Sequence, residues 1–200
     1  MSKPKIRKIL KKTWHFIWED NSIWSWIVNI VLAFVLIKFV VYPGLGLVLG
    51  TNYPVVAVVS GSMEHNGMGF DEWWSANNAW YRDNKISKEE FSQFPLQNGF
   101  NKGDIMILVG READKIGIGD VIVFRSARKD PIIHRVVKKT GDGQTVFQTK
   151  GDNNAESIRS QQLDETRITE EHLIGKTVFR VPFLGYIKIG FVKILGIFGL

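Results

Sequence analysis

Apolar and polar positions are unevenly spread along this chain. After a polar, cation-rich opening, residues Ile23 to Tyr42 form an almost unbroken apolar run in which only Ser25, Asn29 and Lys38 are notably polar. A helix of twenty residues rises about 30 Å, the thickness of a bilayer's hydrocarbon core. Lys38 falls about one turn from the far end, where its stem can snorkel to the interface. Trp14, Trp18, Trp24 and Trp26 crowd the near end, as interfacial tryptophans do. Pro43, Gly44 and Gly46 are expected to stop the helix. A buried core helix of this length rarely adjoins a cation cluster. A cleaved leader would have a shorter apolar stretch and then a small-residue cleavage site. Here the continuation is Pro-Gly-Leu-Gly-Leu-Val-Leu, so the run reads as an uncleaved membrane anchor over residues 21–45.

Beyond it the period changes. Tyr53–Val59, Asp104–Val109, Asp120–Phe124, Ile132–Val137, Thr145–Thr149 and Lys176–Val181 are short runs rich in Val, Ile and Phe. Gly-Asp or Gly-rich turns separate them, which predicts a mainly β domain over 46–185, built as a small barrel or sandwich. Residues 64–102 interrupt the pattern with Trp73, Trp74, Trp80 and Tyr81, then a helix-like Ser87–Phe94, and read as an insertion. From Phe183 the chain is apolar apart from Lys188 and Lys193. The expectation for 186–200 is a membrane-interacting tail, lying in the interface or starting a second span; a core-packing helix is the alternative.

Charge changes the picture once it is located. The 200 residues hold 26 Lys+Arg against 20 Asp+Glu, a formal +6 that by itself suggests nucleic acid. Lys3, Lys5, Arg7, Lys8, Lys11 and Lys12 account for the whole excess, ahead of the first acid, Glu19. The remainder is formally neutral, so no basic binding face for nucleic acid is expected. By the positive-inside rule, residues 1–20 form a basic cytoplasmic segment and everything after residue 45 lies outside. The chain has no cysteine, which excludes a disulfide scaffold, Cys-ligated zinc and a thiol nucleophile.

Three polar features of the β region could carry chemistry. In Val59-Ser60-Gly61-Ser62-Met63, Gly61 permits a sharp turn after an apolar strand. Ser62 could be a nucleophile and Ser60 a donor to an oxyanion, although Ser-Gly-Ser is also ordinary turn chemistry. In Pro131-Ile-Ile-His134-Arg135-Val-Val, His134 sits in an apolar strand, either as a hydrogen-bonded core residue or as the base a serine needs. His15 falls on the cytoplasmic side, His65 is expected in the Ser62 loop, and His172 lies in a charged stretch. In Thr149-Lys-Gly-Asp152-Asn-Asn154, the turn either caps itself or presents Asp152 to the His134 ring. A hairpin through Thr140-Gly-Asp-Gly143 would bring those two residues together.

In this order the features resemble type I signal peptidases, specifically the archaeal and endoplasmic-reticulum Ser-His branch. The resemblance covers nearly the whole chain: the anchor, Ser60-Gly-Ser62-Met63, Lys102-Gly-Asp104-Ile, Gly119-Asp120-Val-Ile-Val-Phe124, Ile133-His134-Arg135-Val, Lys150-Gly-Asp152-Asn-Asn154 and Val181-Pro-Phe-Leu-Gly-Tyr-Ile187. Each box is weak alone; their order is what carries weight. The resemblance implies a partly barrel-like β domain resting on a membrane, Ser62 as nucleophile, His134 as base, and an oxyanion hole from Ser60 and the Ser62 amide. Two departures stand out. His65 replaces the proline that usually follows Ser-Met-Glu, and Ile158 stands where the family usually has a second aspartate. Asp152 is therefore the expected triad acid, with Asp164 second and Glu156 third.

The implied function is a membrane-bound serine endopeptidase that removes signal peptides from exported preproteins, with neither metal nor organic cofactor. Its implied partners are signal peptides, the lipid bilayer and the protein-translocation machinery, in the cell membrane. Small residues such as alanine before the cut are the family's specificity. The alternative is a non-catalytic anchored protein of the same fold that binds peptides or the translocon. A self-cleaving Ser-Lys regulator is disfavoured by His134 and by the anchor.

Overall fold

In the computed structural model, the described residues are 3–141 and 144–186. Contacts divide the chain into two compact units, Met1–Val48 and Leu49–Leu200.

In the first unit, helix α1 (Lys3–Trp18) carries the basic segment. A break at residues 19–22 leads into α2 (Ile23–Leu36), capped by Ser22, whose side chain accepts from the Ser25 N–H. The polar residues of the apolar run serve this elbow. Ser25 Oγ donates to the Phe16 carbonyl (2.6 Å) and Asn29 Nδ2 to the Ile17 carbonyl (2.9 Å). Both are last-turn carbonyls of α1, which have no partner within their own helix. The helix does not stop at Pro43. One π-helical stretch (Ile37–Val41) passes into α3 (Tyr42–Leu49), giving 27 continuous residues, mostly exposed, that are long and apolar enough to cross a membrane. Pro43 directly follows the π-helical stretch, in which the Tyr42 N–H reaches the Ile37 carbonyl, five residues back, where the i to i−4 ladder that a proline interrupts is already broken.

The second unit is a curled, seven-stranded antiparallel sheet ordered β1-β2-β7-β3-β4-β5-β6, shaped as a half-barrel. Its strands are β1 (Val55–Ala57), β2 (Ile105–Val109), β3 (Val121–Phe124), β4 (Ile132–Thr140), β5 (Val146–Lys150), β6 (Ile168–Thr169) and β7 (Leu173–Val181). Bulges between β2 and β7, β3 and β7, and β4 and β5 bend the sheet. Strand β3 is buried on both faces, so its side chains divide between two clusters. Val121 and Val123 pack with Met63, Met106, Leu108 and Ile133, whereas Ile122 and Phe124 pack with Val136, Phe147, Leu163 and Ile168.

The insertion between β1 and β2 holds α4 (Phe70–Asp83) and the short α5 (Lys88–Phe91), the latter capped by Ser87. Trp73, Trp74, Tyr81, Ile86 and Phe91 form a third cluster that closes on Val137 of β4. The three tryptophans of the insertion thus divide: Trp73 and Trp74 are core, and Trp80 is half-buried. The turn joining β4 to β5 includes residues 142 and 143, and the expected apolar tail is 187–200 for all but its first residue; both fall outside the described residues.

Candidate active site

Strand alternation sorts the polar groups of β4. Side chains two apart share a face. Ile132 and Val136 face one cluster, while Ile133 and Val137 face the other side. His134 therefore projects with Ile132 and Val136, and Arg135 with Ile133 and Val137. The loop after β1 brings Ser62 to the former residue: Ser62 Oγ lies 2.8 Å from His134 Nε2. That loop is held from two directions. The Asn153 N–H donates to the Ser62 carbonyl (2.8 Å) and the Phe100 N–H to the Met63 carbonyl (3.0 Å). Ser60 Oγ lies 3.2 Å from Ser62 Oγ.

His134 is 4% exposed, and its other nitrogen, Nδ1, lies 2.5 Å from Oε1 of Glu165, which is completely buried. Glu165 accepts two further hydrogen bonds, from Thr149 Oγ1 to Oε1 (2.8 Å) and from the Ile158 N–H to Oε2 (2.8 Å). Main-chain bonds to Thr149 (2.8 Å) and Ile158 (2.9 Å) fix its backbone. A serine hydroxyl, an imidazole and a buried carboxylate thus stand in sequence, the arrangement that lets a ring accept a proton from a hydroxyl and holds the resulting cation. The chain opens beside it into a cleft of about 370 Å³, lined by Ala57, Val59, Ser60, Ser62, Ile133 and His134, among others. A separate cavity of about 460 Å³ on the insertion, around Trp74, Arg82 and Lys88, contains none of these groups.

The signal peptidase complex catalytic subunit of Leptosphaeria maculans is 30% identical over 167 residues, which cover 80% of this chain and 77% of that protein. The chain belongs to this signal peptidase family. The corresponding subunit of Pyrenophora tritici-repentis gives the same 30% over 167 residues, with 80% and 77% covered. That of Pyricularia oryzae is 29% identical over 155 residues, covering 76% and 71%. No family model matches the chain.

Within this signal peptidase chain, the structure separates Asp152 from His134. The expected hairpin forms, but Asp152 meets the neighbour of His134 on the opposite face. Arg135 Nε donates to Asp152 Oδ1 (2.9 Å) and Arg135 NH2 to Oδ2 (2.8 Å). Tyr81 Oη also donates to Oδ1 (3.2 Å), and His65 Nε2 lies 3.3 Å from Oδ2. The alternation of β4 is the reason: a carboxylate that satisfies Arg135 is on the wrong side for His134. Asp164 is exposed and accepts from the Thr166 hydroxyl (2.6 Å), and Glu156 is also exposed. Glu165 replaces all three beside the ring. Ile158, which stands where the resemblance implies an aspartate, meets Glu165 through main-chain groups alone, and its N–H donates to the carboxylate. No motif in the sequence marks Glu165, which lies in a turn two residues after the buried Leu163.

Burial pushes the Asp152 carboxyl up, but the Arg135 charge and the hydrogen bonds from His65 and Arg135 outweigh it and hold the group well below the usual carboxylate range. Burial dominates at Lys150, whose pKa falls to about 8 despite the nearby Asp152 and Glu165 charges. Its ammonium donates to Gly151 O (3.1 Å) and Tyr81 Oη (3.3 Å) and lies 4.4 Å from the Tyr81 ring centre. His65 stacks flat on Trp73 at 3.8 Å, so the residue that replaces the family's proline joins the insertion to Asp152. Of the other histidines, His15 of α1 pairs with Glu19 just beyond that helix, and His172 Nδ1 lies 2.8 Å from Thr169 Oγ1.

Proposed function

We propose that this chain is a membrane-bound serine endopeptidase that cleaves signal peptides from exported preproteins, using Ser62, His134 and Glu165. Ser62 Oγ attacks the scissile carbonyl as His134 Nε2 takes its proton. Glu165 keeps the other ring proton on Nδ1 and stabilises the imidazolium. The negative oxygen of the tetrahedral intermediate is received by Ser60 Oγ and the Ser62 N–H, each such donor being worth about 3 kcal/mol of barrier. Collapse breaks the C–N bond, and His134 delivers its proton to the departing amine. Water, deprotonated by the same ring, then releases the acyl group from Ser62.

The observation that carries this reading is the 2.8 Å Ser62–His134 bond beside the cleft, with a buried carboxylate behind the ring. Residues 1–20 are proposed to be cytoplasmic, 21–45 to anchor the chain, 46–185 to work outside, and 186–200 to meet the membrane. The relatives are subunits of a complex. A membrane-associated assembly is proposed here too, with the translocation machinery as a further partner and the cell membrane as the site.

Preprotein cleavage by the full chain in detergent tests the proposal. Ser62→Ala and His134→Ala are expected to abolish processing while the protein still folds. Glu165→Gln should lower kcat about ten-thousand-fold, by favouring the wrong ring tautomer. Normal processing by Ser62→Ala would end the enzyme reading, and full activity of Glu165→Gln would remove Glu165 from it.

A further inference from the structure

One polar group beside the Ser62–His134 pair has no task in this mechanism. The side-chain nitrogen of Asn154 is buried and makes no hydrogen bond among the described residues. Buried donors are nearly always paired, and an orphan costs about 1–3 kcal/mol. The side chain lines the same cleft as Ser62 and His134. A Cβ built on Gly151 would meet Asn154 Nδ2 at 2.7 Å, the Ser62 carbonyl at 2.7 Å and His134 Nε2 at 2.9 Å. All three thus border one small volume.

The turn does not need this amide. The Asn154 N–H donates to the Gly151 carbonyl (2.9 Å), and the neighbouring Asn153 supplies the bonds to Ser62 O (2.8 Å) and Gly61 O (3.1 Å). The group that fits an N–H₂ donor in a peptide-sized cleft is a main-chain carbonyl, which an extended peptide offers at every residue.

We propose that Asn154 is a substrate-binding residue whose half-buried side chain turns its terminal amide, the nitrogen of which is covered in the free chain, to donate to a main-chain carbonyl of the bound peptide. The proposal rests on the endopeptidase reading above. The carbonyl is not the scissile one, whose oxygen goes to Ser60 and the Ser62 N–H. The bond is therefore made equally in ground and transition states, and its loss appears in KM.

The test measures kcat and KM for preprotein cleavage by the full chain in detergent, as wild type, Asn154→Ala and Asn154→Asp. Alongside it, the dissociation constant of a synthetic signal peptide is measured on Ser62→Ala with and without Asn154→Ala. Both Asn154 variants should raise KM about ten-fold, with kcat within about two-fold of wild type. Asn154→Asp, of the same shape, should be at least as severe, because it turns an acceptor toward the carbonyl. The dissociation constant should rise by the same factor. Unchanged KM and binding, or a loss confined to kcat, would overturn the proposal; so would a rise in Asn154→Ala that Asn154→Asp does not share, which would indicate lost packing. If wild type itself fails to cleave, the endopeptidase reading falls, and the binding comparison still decides on Asn154.

Discussion

Two buried carboxylates lie on opposite faces of β4, and their tasks are chemically distinct. Asp152 neutralises a guanidinium that is fully buried. Removing one partner of such a pair leaves an uncompensated charge in the interior, so Asp152→Asn should lower unfolding free energy by about 3–5 kcal/mol. Denaturant titration checks this, and the contrast is with Glu165→Gln, which should cost activity far more than stability. The depressed pKa of Asp152 means that its contribution is present above the unfolded carboxylate range and is lost as pH falls through the folded value. Lys150 gives a pH slope of the same sign in a higher window. Its folded pKa of about 8 lies below the ordinary 10.5, so between those values the unfolded chain binds more protons and stability rises with pH. Relative to Lys150→Met, the wild type should gain about 1.4 kcal/mol per pH unit across that window. Equal pH slopes for the two proteins would refute this.

At the scale of elements, the β4–β5 ladder sets the site. Arg135 pairs with Lys150, and continuing that register by one places Gly151 opposite His134. A methyl group at Gly151 would enter the space between the Ser62 carbonyl and His134 Nε2. Gly151→Ala should therefore cut kcat/KM by about a hundred-fold through displacement of the reacting groups, with a stability loss of about 1–3 kcal/mol from overpacking. Cleavage assays and thermal melts on the same sample separate the two effects. The elements differed in how legible they were in sequence. The longer strands were visible as Val- and Ile-rich runs because local composition and period determine them. Helix α4 was not foreseen, although Trp73, Trp74 and Tyr81 fall on one buried side, because aromatic crowding hid its period. Two-residue β6 exists only because it pairs with β5. Ser62 and His134 were legible through their local boxes. Glu165 was not, because its partners Thr149, Ile158 and His134 are brought to it by tertiary pairing.

The whole molecule joins a mostly exposed 27-residue apolar helix to a β unit with its own clusters. The expected orientation can be measured with little background, because the chain contains no cysteine and any introduced thiol is the only one. In sealed cells, a cysteine placed at Asn101 should react with a membrane-impermeant maleimide, and one at Ser2 should not. The reverse pattern would invert the proposed topology.

The route by which Glu165 reaches His134 also bears on how pseudoenzymes are diagnosed. A scan demanding an acid at fixed spacing from the Lys150-Gly-Asp152 turn would find Ile158 and score the chain as dead. The Ile158 N–H nonetheless holds a carboxylate, supplied seven residues downstream. If the proposed mechanism holds, what selection preserves is a place in space beside the imidazole. Relatives lacking the usual aspartate are then to be judged by whether a carboxylate occupies that place, whatever its position in the chain.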